Sequence, residues 1–485
     1  PTLDLKPVTN LEGCNAVFVA QLTLPTKNAV SFDYSTTDGT AISPGDFTQM
    51  SGTVTIPPGR KEIGISIPLI ADGSPDSGET FTMTITNVQN ATLGTNTALA
   101  TIKEASDISA SNRIQNLPSY TDISSFQLSP DGCFIVANMD VAMDNSYDIF
   151  SMDVFGTGLL RLNPEPRDIG YYIFGKLLIS PDSSSIVFDG KYDENSDYSL
   201  YKVKPDGQNL TQINPVDTTA YSDFNLSPNG QQIIYRAAQV GSDTYELFTV
   251  NIDGTNIQLM NDPFVNGGCV ASTGIYSSDS IHVVYTADHG TVGENELYVS
   301  RSDGTGSPLK LSPGLPSGAK VDSFLLTPDS QKVVYIADQD TLGSRELYTV
   351  NLDGTNLLKL NEALPPAYQV EQMVISPDSS KVAYYQSEYG QGGDIYAVKI
   401  DGSDPAVKLI TLYTYGYFGN FQFLPDSSKL VSCGDITTSF ADQVYVQALD
   451  GTSNVKISGT SGSGFGTDCY RMTITSNSQK VIFVT

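Results

Sequence analysis

The stretch LYTVNLDGTNLLKL, residues 347–360, decides the fold, because residues 247–260 read LFTVNIDGTNIQLM, which is nearly the same. Each stretch places Asp-Gly between two short runs rich in β-branched and aromatic residues. Asp-Gly supplies the positive φ of a two-residue hairpin, and such runs are typical of strands. Five more copies of this predicted β-hairpin begin at Asp148, Leu200, Glu296, Asp394 and Val444, and only the first of these lacks Asp-Gly.

A second landmark, LSPDGCFIV at residues 128–136, is a turn between two further apolar runs. Pro presets the φ of such a turn and Asp or Ser hydrogen-bonds its backbone, so one strand reverses into the next. Eight copies of the landmark begin at Leu128, Ile179, Leu226, Tyr276, Leu326, Ile375, Phe423 and Thr475.

The two landmarks alternate with a period of about 50 residues, which is typical of propellers and solenoids. Each unit is predicted to be a four-stranded antiparallel meander, whose faces are covered when the units pack radially. From roughly Arg113 to Thr485 the chain resembles the TolB-like, WD-repeat-like β-propeller family, which implies an all-β propeller fold. The Trp-Asp dipeptide of true WD repeats is absent, since the chain contains no Trp.

Eight turn landmarks predict eight blades. The last repeat, CYRMTITSNSQKVIFVT, contains only two strands before Thr485, whereas NRIQNLPSY at residues 112–120 reads like an outer strand. We therefore expect the N-terminal strand at Asn112–Pro118 to complete the last blade and close the ring. Seven blades followed by an incomplete terminal segment is the alternative.

Residues 30–102 contain short alternating strands separated by Asp-Gly, Pro-Gly and Asn, a pattern typical of an all-β sandwich. The elements DYSTTDGTA, GDF, GTVTIPPG, IPLIAD and ETFTMTITN resemble the Calx-beta domain in their order. The predicted organisation is a Calx-beta-like, immunoglobulin-type sandwich at residues 1–103, a linker at 104–111 and the TolB-like propeller at 112–485.

The Calx-beta resemblance implies a calcium site at one end of the sandwich. By motif position its carboxylates are Glu12, Asp38, Asp72 and Asp76. Where calcium-binding members carry an acidic cluster after the last strand, this chain has TIKEAS, with Lys103 beside the next carboxylate. Calcium takes six to eight oxygen ligands, so we expect a weak site, or else a spacer whose Asp residues form turns.

Charge and hydropathy limit the partners. The chain has 26 Lys and Arg against 54 Asp and Glu, a net charge of −28. Such a surface repels phosphate backbones and anionic membrane surfaces, so no nucleic acid is expected as a partner. No stretch approaches the about 18 apolar residues of a membrane span. Richness in Thr, Ser, Asn, Gly and Tyr indicates an extracellular or cell-surface location, with the periplasm as the alternative.

No catalytic constellation is recognisable, and we predict that the protein is not an enzyme. His282 lies in a predicted strand and His289 in the following loop, and neither is near a Ser or Cys partner in a known motif. No G-x-S-x-G elbow occurs. Asp193, Asn195 and Asp197 have cation-loop spacing but lack the Gly and distal Glu of an EF-hand.

Five cysteines, Cys14, Cys133, Cys269, Cys433 and Cys469, are too widely spaced for a zinc site. Cys433 ends the second strand of the seventh blade and Cys469 precedes the first strand of the eighth. Both points lie at the same end of neighbouring blades, so a disulfide between them is predicted. Buried thiols that act as small hydrophobes are the alternative.

These features predict a non-catalytic binding or scaffolding protein, such as an adhesin or a subunit of an extracellular assembly or filament. Its expected partners are proteins, glycans or copies of itself, and Tyr-rich stretches at 170–174 and 411–421 suit such contacts. A periplasmic TolB-like accessory protein of an envelope complex and a propeller hydrolase or lyase are the alternatives.

Overall fold

The structure is a computed structural model of residues 1–485, and the description covers most of that range. Outside it lie residues 75–76, 109–116, 118–120, 142–146, 164–175, 192–197, 216–217, 240–241, 243, 265–267, 290, 389–391, 413–419, 435–442, 459–467, 476, 479 and 485, and the side chains of 221–222, 468–473 and 482–484. Among the described residues, no helix has the length and hydropathy needed to cross a membrane.

The N-terminal part is a sandwich of two sheets. Its strands are β1 Thr2–Leu5, β2 Val8–Leu11, β3 Asn15–Leu22, β4 Val30–Thr37, β5 Ser51–Ile56, β6 Glu62–Pro68, β7 Thr80–Gln89, β8 Thr92–Leu93 and β9 Thr97–Lys103. One sheet has the order β6-β3-β1-β8 and the other β2-β9-β7-β4-β5. A short 3₁₀ helix, Ala105–Asp107, follows the last strand.

Alternation along each strand builds the sandwich core. In β7, Phe81, Met83 and Ile85 are fully buried, whereas the threonines between them face outward. Side chains alternate between the two faces of a strand, so this pattern puts one face of β7 in the core. The Phe81 ring stacks on Phe47 with ring centroids 4.0 Å apart.

The rest of the chain forms successive antiparallel sheets, which we call blades one to eight. Blades one to three contain β10 Asp122–Leu128, β11 Phe134–Asp140, β12 Asp148–Asp153 and β13 Leu160–Arg161 (blade one); β14 Leu177–Ile179, β15 Ile186–Gly190, β16 Ser199–Val203 and β17 Thr211–Gln212 (blade two); and β18 Thr218–Leu226, β19 Gln232–Gln239, β20 Glu246–Asn251 and β21 Gln258–Leu259 (blade three). Blades four to six contain β22 Ile275–Tyr276, β23 His282–Ala287, β24 Glu296–Arg301 and β25 Leu309–Lys310 (blade four); β26 Val321–Leu326, β27 Lys332–Ala337, β28 Glu346–Asn351 and β29 Leu358–Lys359 (blade five); and β30 Tyr368–Ile375, β31 Lys381–Glu388, β32 Gly393–Lys399 and β33 Val407–Thr411 (blade six). Blades seven and eight contain β34 Asn420–Phe423, β35 Lys429–Gly434, β36 Gln443–Ala448 and β37 Asn454–Lys456 (blade seven); and β38 Asp468–Ile474 and β39 Val481–Val484 (blade eight). Within each of the first seven sheets the four strands pair in chain order, and the last described sheet has two strands.

The predicted turn landmark joins the first two strands of every blade. Ser129 Oγ donates to Asp131 Oδ1 at 2.6 Å and accepts from the backbone N–H of Cys133 at 3.0 Å. The fourth turn residue has a positive φ in all eight copies; it is Gly132, Ser183, Gly230, Ser280, Ser330, Ser379, Ser427 and Ser478. Glycine adopts this conformation most readily, so the six serines need a separate reason.

The serines at positive φ connect neighbouring blades. The Ser379 hydroxyl accepts a hydrogen bond from the backbone N–H of Asp329, in the turn of the preceding blade, at 3.0 Å. Ser427 accepts in the same way from Asp378 at 3.0 Å. Glycine cannot make this bond, which explains why serine occupies a strained position.

The predicted hairpin landmark carries an ion pair across the outer two strands. Lys359 of β29 contacts the carboxylate of Glu346 in β28, and Tyr348 Oη donates to the same carboxylate at 3.0 Å. Lys408 and Asp394 form the equivalent pair at 2.8 Å in blade six. Acid, tyrosine and lysine in these repeats therefore stabilise the outer hairpin.

The second strand of blade five is buried on both faces, which explains its continuous apolar run. In β27, Val333 and Tyr335 pack with residues of blade four, whereas Val334 and Ile336 pack with residues of blade six. All four side chains are fully buried. Face-to-face packing of blades four, five and six thus removes this strand from water.

Two compact units divide the chain. One contains Pro1–Ser242 with Val250–Ile257, and the other contains Asp243–Thr249 with Gln258–Thr485. The sandwich and the first two blades therefore belong to one unit. The predicted closing strand, Asn112–Pro118, lies outside the described residues except for Leu117, so ring closure and the number of blades stay predictions.

A disulfide joins Cys14 of the sandwich to Cys133 of blade one, with Cα atoms 5.4 Å apart and a separation of 119 positions in the sequence. The alternative of buried thiols is therefore wrong for these two cysteines. Cys433 is also disulfide-bonded. The Cys469 side chain lies outside the described residues, so the pairing of Cys433 with Cys469 stays a prediction.

Candidate functional site

Glu12 and Asp72, two of the predicted calcium ligands, lie next to each other. The backbone N–H of Asp72 donates to Glu12 Oε1 at 2.8 Å, and Asp72 Oδ1 accepts from the N–H of Ser74 at 2.7 Å. Both carboxylates therefore already accept backbone hydrogen bonds, Glu12 from a distant loop and Asp72 within its own turn.

Asp38 and Asp76 complete the predicted set. Asp38 Oδ1 accepts from the backbone N–H of Ser43 at 3.1 Å, so it forms a turn of its own. Asp76 lies outside the described residues. Beyond the last strand, Lys103 pairs with Asp107 at 3.9 Å and adds a positive charge.

The described carboxylates do not complete a calcium site. Across the described ranges, no group of three His, Cys, Asp or Glu side chains is placed to hold a metal ion. Calcium needs six to eight oxygen ligands, and the carboxylates of Glu12 and Asp72 are too few to supply them. Calcium binding therefore stays a prediction that depends on Asp76.

An acidic cleft of about 380 Å³ lies between the sandwich and blades one and two, within the first unit. Its lining includes the carboxylates of Asp131, Asp153, Asp182 and Asp206, and the side chain of Lys204. Asp131 and Asp182 belong to the turn landmarks, and Asp153 and Asp206 belong to the hairpins between the third and fourth strands. Both kinds of turn lie at the same end of a four-stranded meander. All four carboxylates lie on the side of the cleft that the blades form, and they favour a cationic ligand group.

Local bonds and burial tune these carboxylates differently. Burial raises the pKa of Asp153, although its Oδ1 accepts backbone N–H bonds from Phe155 and Thr157, each at 2.9 Å. A hydrogen bond from the Ser180 hydroxyl is the main cause that lowers the pKa of Asp182. The cleft thus holds Asp182, whose pKa is lowered, beside Asp153 and Asp206, whose pKa values are raised by burial.

The cleft exists because two sheet edges of the sandwich dock on the blades. Arg60, which is buried, donates to the carbonyl oxygens of Gly207 at 2.6 Å and Arg161 at 3.0 Å. Val17 and Val19 of β3 pack into the apolar cluster of blades one and two. Sequence reasoning missed Arg60, whose only signal is a single Arg after the PPG turn.

Asp189 is the most unusual buried group of the blades. It lies in β15, is 0% exposed, and neither carboxylate oxygen makes a hydrogen bond to the described residues. Burial raises its pKa from the ordinary 3.8 to about 7. Nothing in the repeat pattern distinguishes this aspartate, so sequence reasoning could not single it out.

The two histidines have different surroundings. The backbone of His282 pairs with the turn, its N–H donating to Ser277 Oγ at 2.9 Å. The His289 ring stacks on Phe264, with centroids 4.7 Å apart, and meets the edge of Tyr298 at 4.8 Å. Burial lowers the pKa of His289.

Several sequence candidates lie outside the described residues. They are the loop with Asp193, Asn195 and Asp197, and most of the Tyr-rich stretches at 170–174 and 411–421.

The fold and the docked domains define an all-β protein with a sandwich followed by a β-propeller, as predicted. Residues 6–106 match the family model of the Calx-beta domain, and this part of the chain is therefore a Calx-beta domain. The comparison with curated proteins finds no match.

Similar solved structures include both kinds of domain. Dipeptidyl peptidase 4 of Porphyromonas gingivalis is similar over 79% of this chain and 58% of its own, at 14% identity and a TM-score of 0.54. A TolB from Agrobacterium tumefaciens is similar over 53% of this chain and 85% of its own, at 17% identity and a TM-score of 0.33. The Calx CBD1 domain is similar over 21% of this chain and 99% of its own, at 22% identity and a TM-score of 0.19. At these identities the similarity concerns the fold alone.

Proposed function

We propose that the protein is a non-catalytic binding and scaffolding protein that acts outside the cytoplasm, at the cell surface or in an extracellular assembly. The observation that carries this proposal is the disulfide between Cys14 and Cys133. Structural disulfides form and persist in oxidising compartments such as the extracellular space and the periplasm.

The disulfide also supports the scaffolding role. It joins the Calx-beta sandwich to blade one, and Arg60 adds hydrogen bonds from the sandwich to blades one and two. A sandwich held in this way keeps a fixed position on the first blades. A fixed position is what a scaffold needs in order to present two binding surfaces at a constant spacing.

The acidic cleft between these domains suits partners with cationic groups. Four aspartates line it, against one lysine. The proposed ligands are basic segments of proteins or of glycan-bearing surface molecules, held without covalent chemistry.

Location on intact cells tests the proposal. Protease applied to intact cells should release peptides of this protein, and a membrane-impermeant amine label should modify its lysines. Peptides that become accessible only after the outer envelope is broken would support the periplasmic accessory role instead. Turnover of an oligosaccharide or a peptide substrate by the purified chain would support the alternative of a hydrolase or lyase.

A further inference from the structure

The four edges of the sandwich sheets differ in how they are protected. The edges are β6 and β8 in one sheet and β2 and β5 in the other. An edge strand carries unpaired N–H and C=O groups that can pair with a strand of another chain, and proteins usually shorten, charge or cover such edges.

Three of the edges are protected. The backbone N–H of Gly64 in β6 donates to the carbonyl of Asp206 in blade two at 2.9 Å. A Cβ at Gly64 would lie 2.7 Å from that oxygen, so this close docking requires glycine. The N–H of Thr9 in β2 donates to Thr157 Oγ1 of blade one at 2.9 Å. The remaining edge, β8, has only two residues.

The fourth edge, β5, is open. The N–H of Thr36 donates to the carbonyl of Met50 at 2.9 Å. Together with the register of β4 and β5, this bond shows which residues of β5 are hydrogen-bonded to β4. In an antiparallel ladder only alternate residues bond to the partner, so the backbone groups of Ser51, Thr53 and Thr55 point away from β4. These three residues are exposed, and no hydrogen bond from another described residue reaches their outward N–H and C=O groups.

The open edge also lacks charge. The strand SGTVTI contains no Lys, Asp, Glu or Pro. The nearest carboxylate of the adjoining strand, Asp33, accepts from Thr53 Oγ1 at 2.6 Å and from Asn87 Nδ2 at 3.0 Å. The neighbouring outward side chains are hydroxyls, namely Ser31, Ser35, Thr37, Thr82, Thr84 and Thr86.

The lack of charge on β5 bears on which partner can reach this edge. Two copies of a chain with a net charge of −28 repel each other over most of their surfaces. An uncharged edge beside hydroxyl side chains is where they can approach most closely. Ser51 and Thr55 are also evenly spaced about Thr53, so an antiparallel second copy presents a C=O opposite each outward N–H.

We propose that β5 pairs antiparallel with β5 of a second copy, about a two-fold axis at Thr53, so that the two five-stranded sheets become one continuous sheet. Cross-strand pairs of β-branched residues stabilise such ladders. The pairing extends the scaffolding role proposed above, but its test measures self-association and not location, so either proposal can fail alone.

Sedimentation velocity of the full chain over a concentration series tests the pairing. The parent should dimerise, and added NaCl should strengthen the dimer because it screens the repulsion. Thr53→Pro removes the outward N–H together with the Thr53 hydroxyl, which Thr53→Val also lacks, and Thr53→Lys places charges opposite each other. Each should weaken the dimer by at least about tenfold, whereas Thr53→Val, the matched control, should associate like the parent.

Hydrogen exchange identifies the surface involved. Exchange of the Thr53 and Thr55 amides should slow as the parent concentration rises, and should stay fast in Thr53→Lys. Unchanged melting temperatures would show that the variants remain folded. A parent that stays monomeric with fast exchange at these amides, or a dimer that both variants leave intact, overturns the proposal and leaves this edge to another partner.

Discussion

Asp189 places a carboxylate in the packed middle of blade two, where blade five has the fully buried Ile336 at the equivalent position. A buried carboxylate without hydrogen bonds is costly in its ionised form, and burial therefore raises its pKa to about 7. The folded protein binds this proton more tightly than the unfolded chain does. The resulting stability is present at acid pH and is lost as the pH rises toward 7.

Asp189→Asn should remove this pH dependence. At pH 8 we expect the variant to melt above the parent, because an ionised buried group is gone. At 1.36 kcal/mol per pKa unit the difference amounts to at most about 4 kcal/mol, and it should shrink toward pH 4. Melting temperatures at several pH values measure it, and a parent as stable as the variant at pH 8 contradicts the prediction.

Asp182→Asn is the matched control with the opposite sign. In the parent, the pKa of Asp182 is lowered, chiefly by a hydrogen bond from the Ser180 hydroxyl. The stability from Asp182 is therefore present at neutral pH and is lost as the pH falls through the lowered pKa. The Asn variant should melt below the parent at pH 7, and the gap should narrow in acid.

Ser379 tests why serine replaces glycine in the blade turns. Ser379→Ala keeps the strained φ of 61° and loses the hydrogen bond from the N–H of Asp329, so we expect a loss of about 1 kcal/mol. Ser379→Gly loses the same bond but relieves the strain, so it should be less destabilising than Ala. Denaturant unfolding gives the order, and an Ala variant at least as stable as Gly would contradict it.

At the scale of elements, the sandwich is docked by a few contacts that have no sequence signature. Strands, turns and hairpins follow from local alternation and turn chemistry, which the sequence displays directly. The Cys14–Cys133 bond and the Arg60 contacts join residues more than 100 positions apart. Their partners depend on how finished domains pack, so periodicity and spacing could not reveal them.

Loss of the disulfide should loosen the sandwich from the first blades. Closing a loop of 119 residues restricts the unfolded chain, so the double variant Cys14→Ser, Cys133→Ser should lose about 3 to 5 kcal/mol. Calorimetry should also show the sandwich and the propeller melting separately. The parent with its disulfides intact is the control, and a double variant that melts as a single transition at the parent temperature contradicts the docking account.

Calcium dependence, where it occurs, should lie in the sandwich and require millimolar calcium. Calcium that binds only the folded state raises the melting temperature by mass action. Glu12→Gln should abolish any such rise, whereas Asp303→Asn in blade four should not. If chelator and calcium give the parent the same melting temperature, then Glu12, Asp38, Asp72 and Asp76 serve only to form turns.

At the scale of the whole molecule, blade one has an apolar strand face that still needs a cover. Phe126 is 75% exposed and Leu128 is 53% exposed, whereas their equivalents in blade five, Phe324 and Leu326, pack against blade four. The repeat pattern predicts this need, since every blade has the same two-faced design. The segment predicted to close the ring does not follow the repeat pattern. The sequence therefore predicts the structure of each blade better than it predicts the number of blades.

Ring closure by the strand predicted at residues 112–118 stays a prediction, which a deletion can test. Deleting residues 112–118 should leave an open edge and cause aggregation. Replacing the same residues with a Gly-Ser segment of equal length should have the same effect, because the strand and not the tether is lost. Light scattering and melting curves measure both, and variants that stay monodisperse and melt like the parent would show that another segment closes the ring.

The central claim, a scaffold that works outside the cytoplasm with its domains joined by a disulfide, is tested most directly by one measurement. Intact cells are treated with protease, and the released peptides are analysed by mass spectrometry without reduction. The account predicts peptides of this protein among them, including a linked pair that carries Cys14 and Cys133. Cells that release no peptide of this protein, or native protein in which both cysteines are reduced, would contradict it.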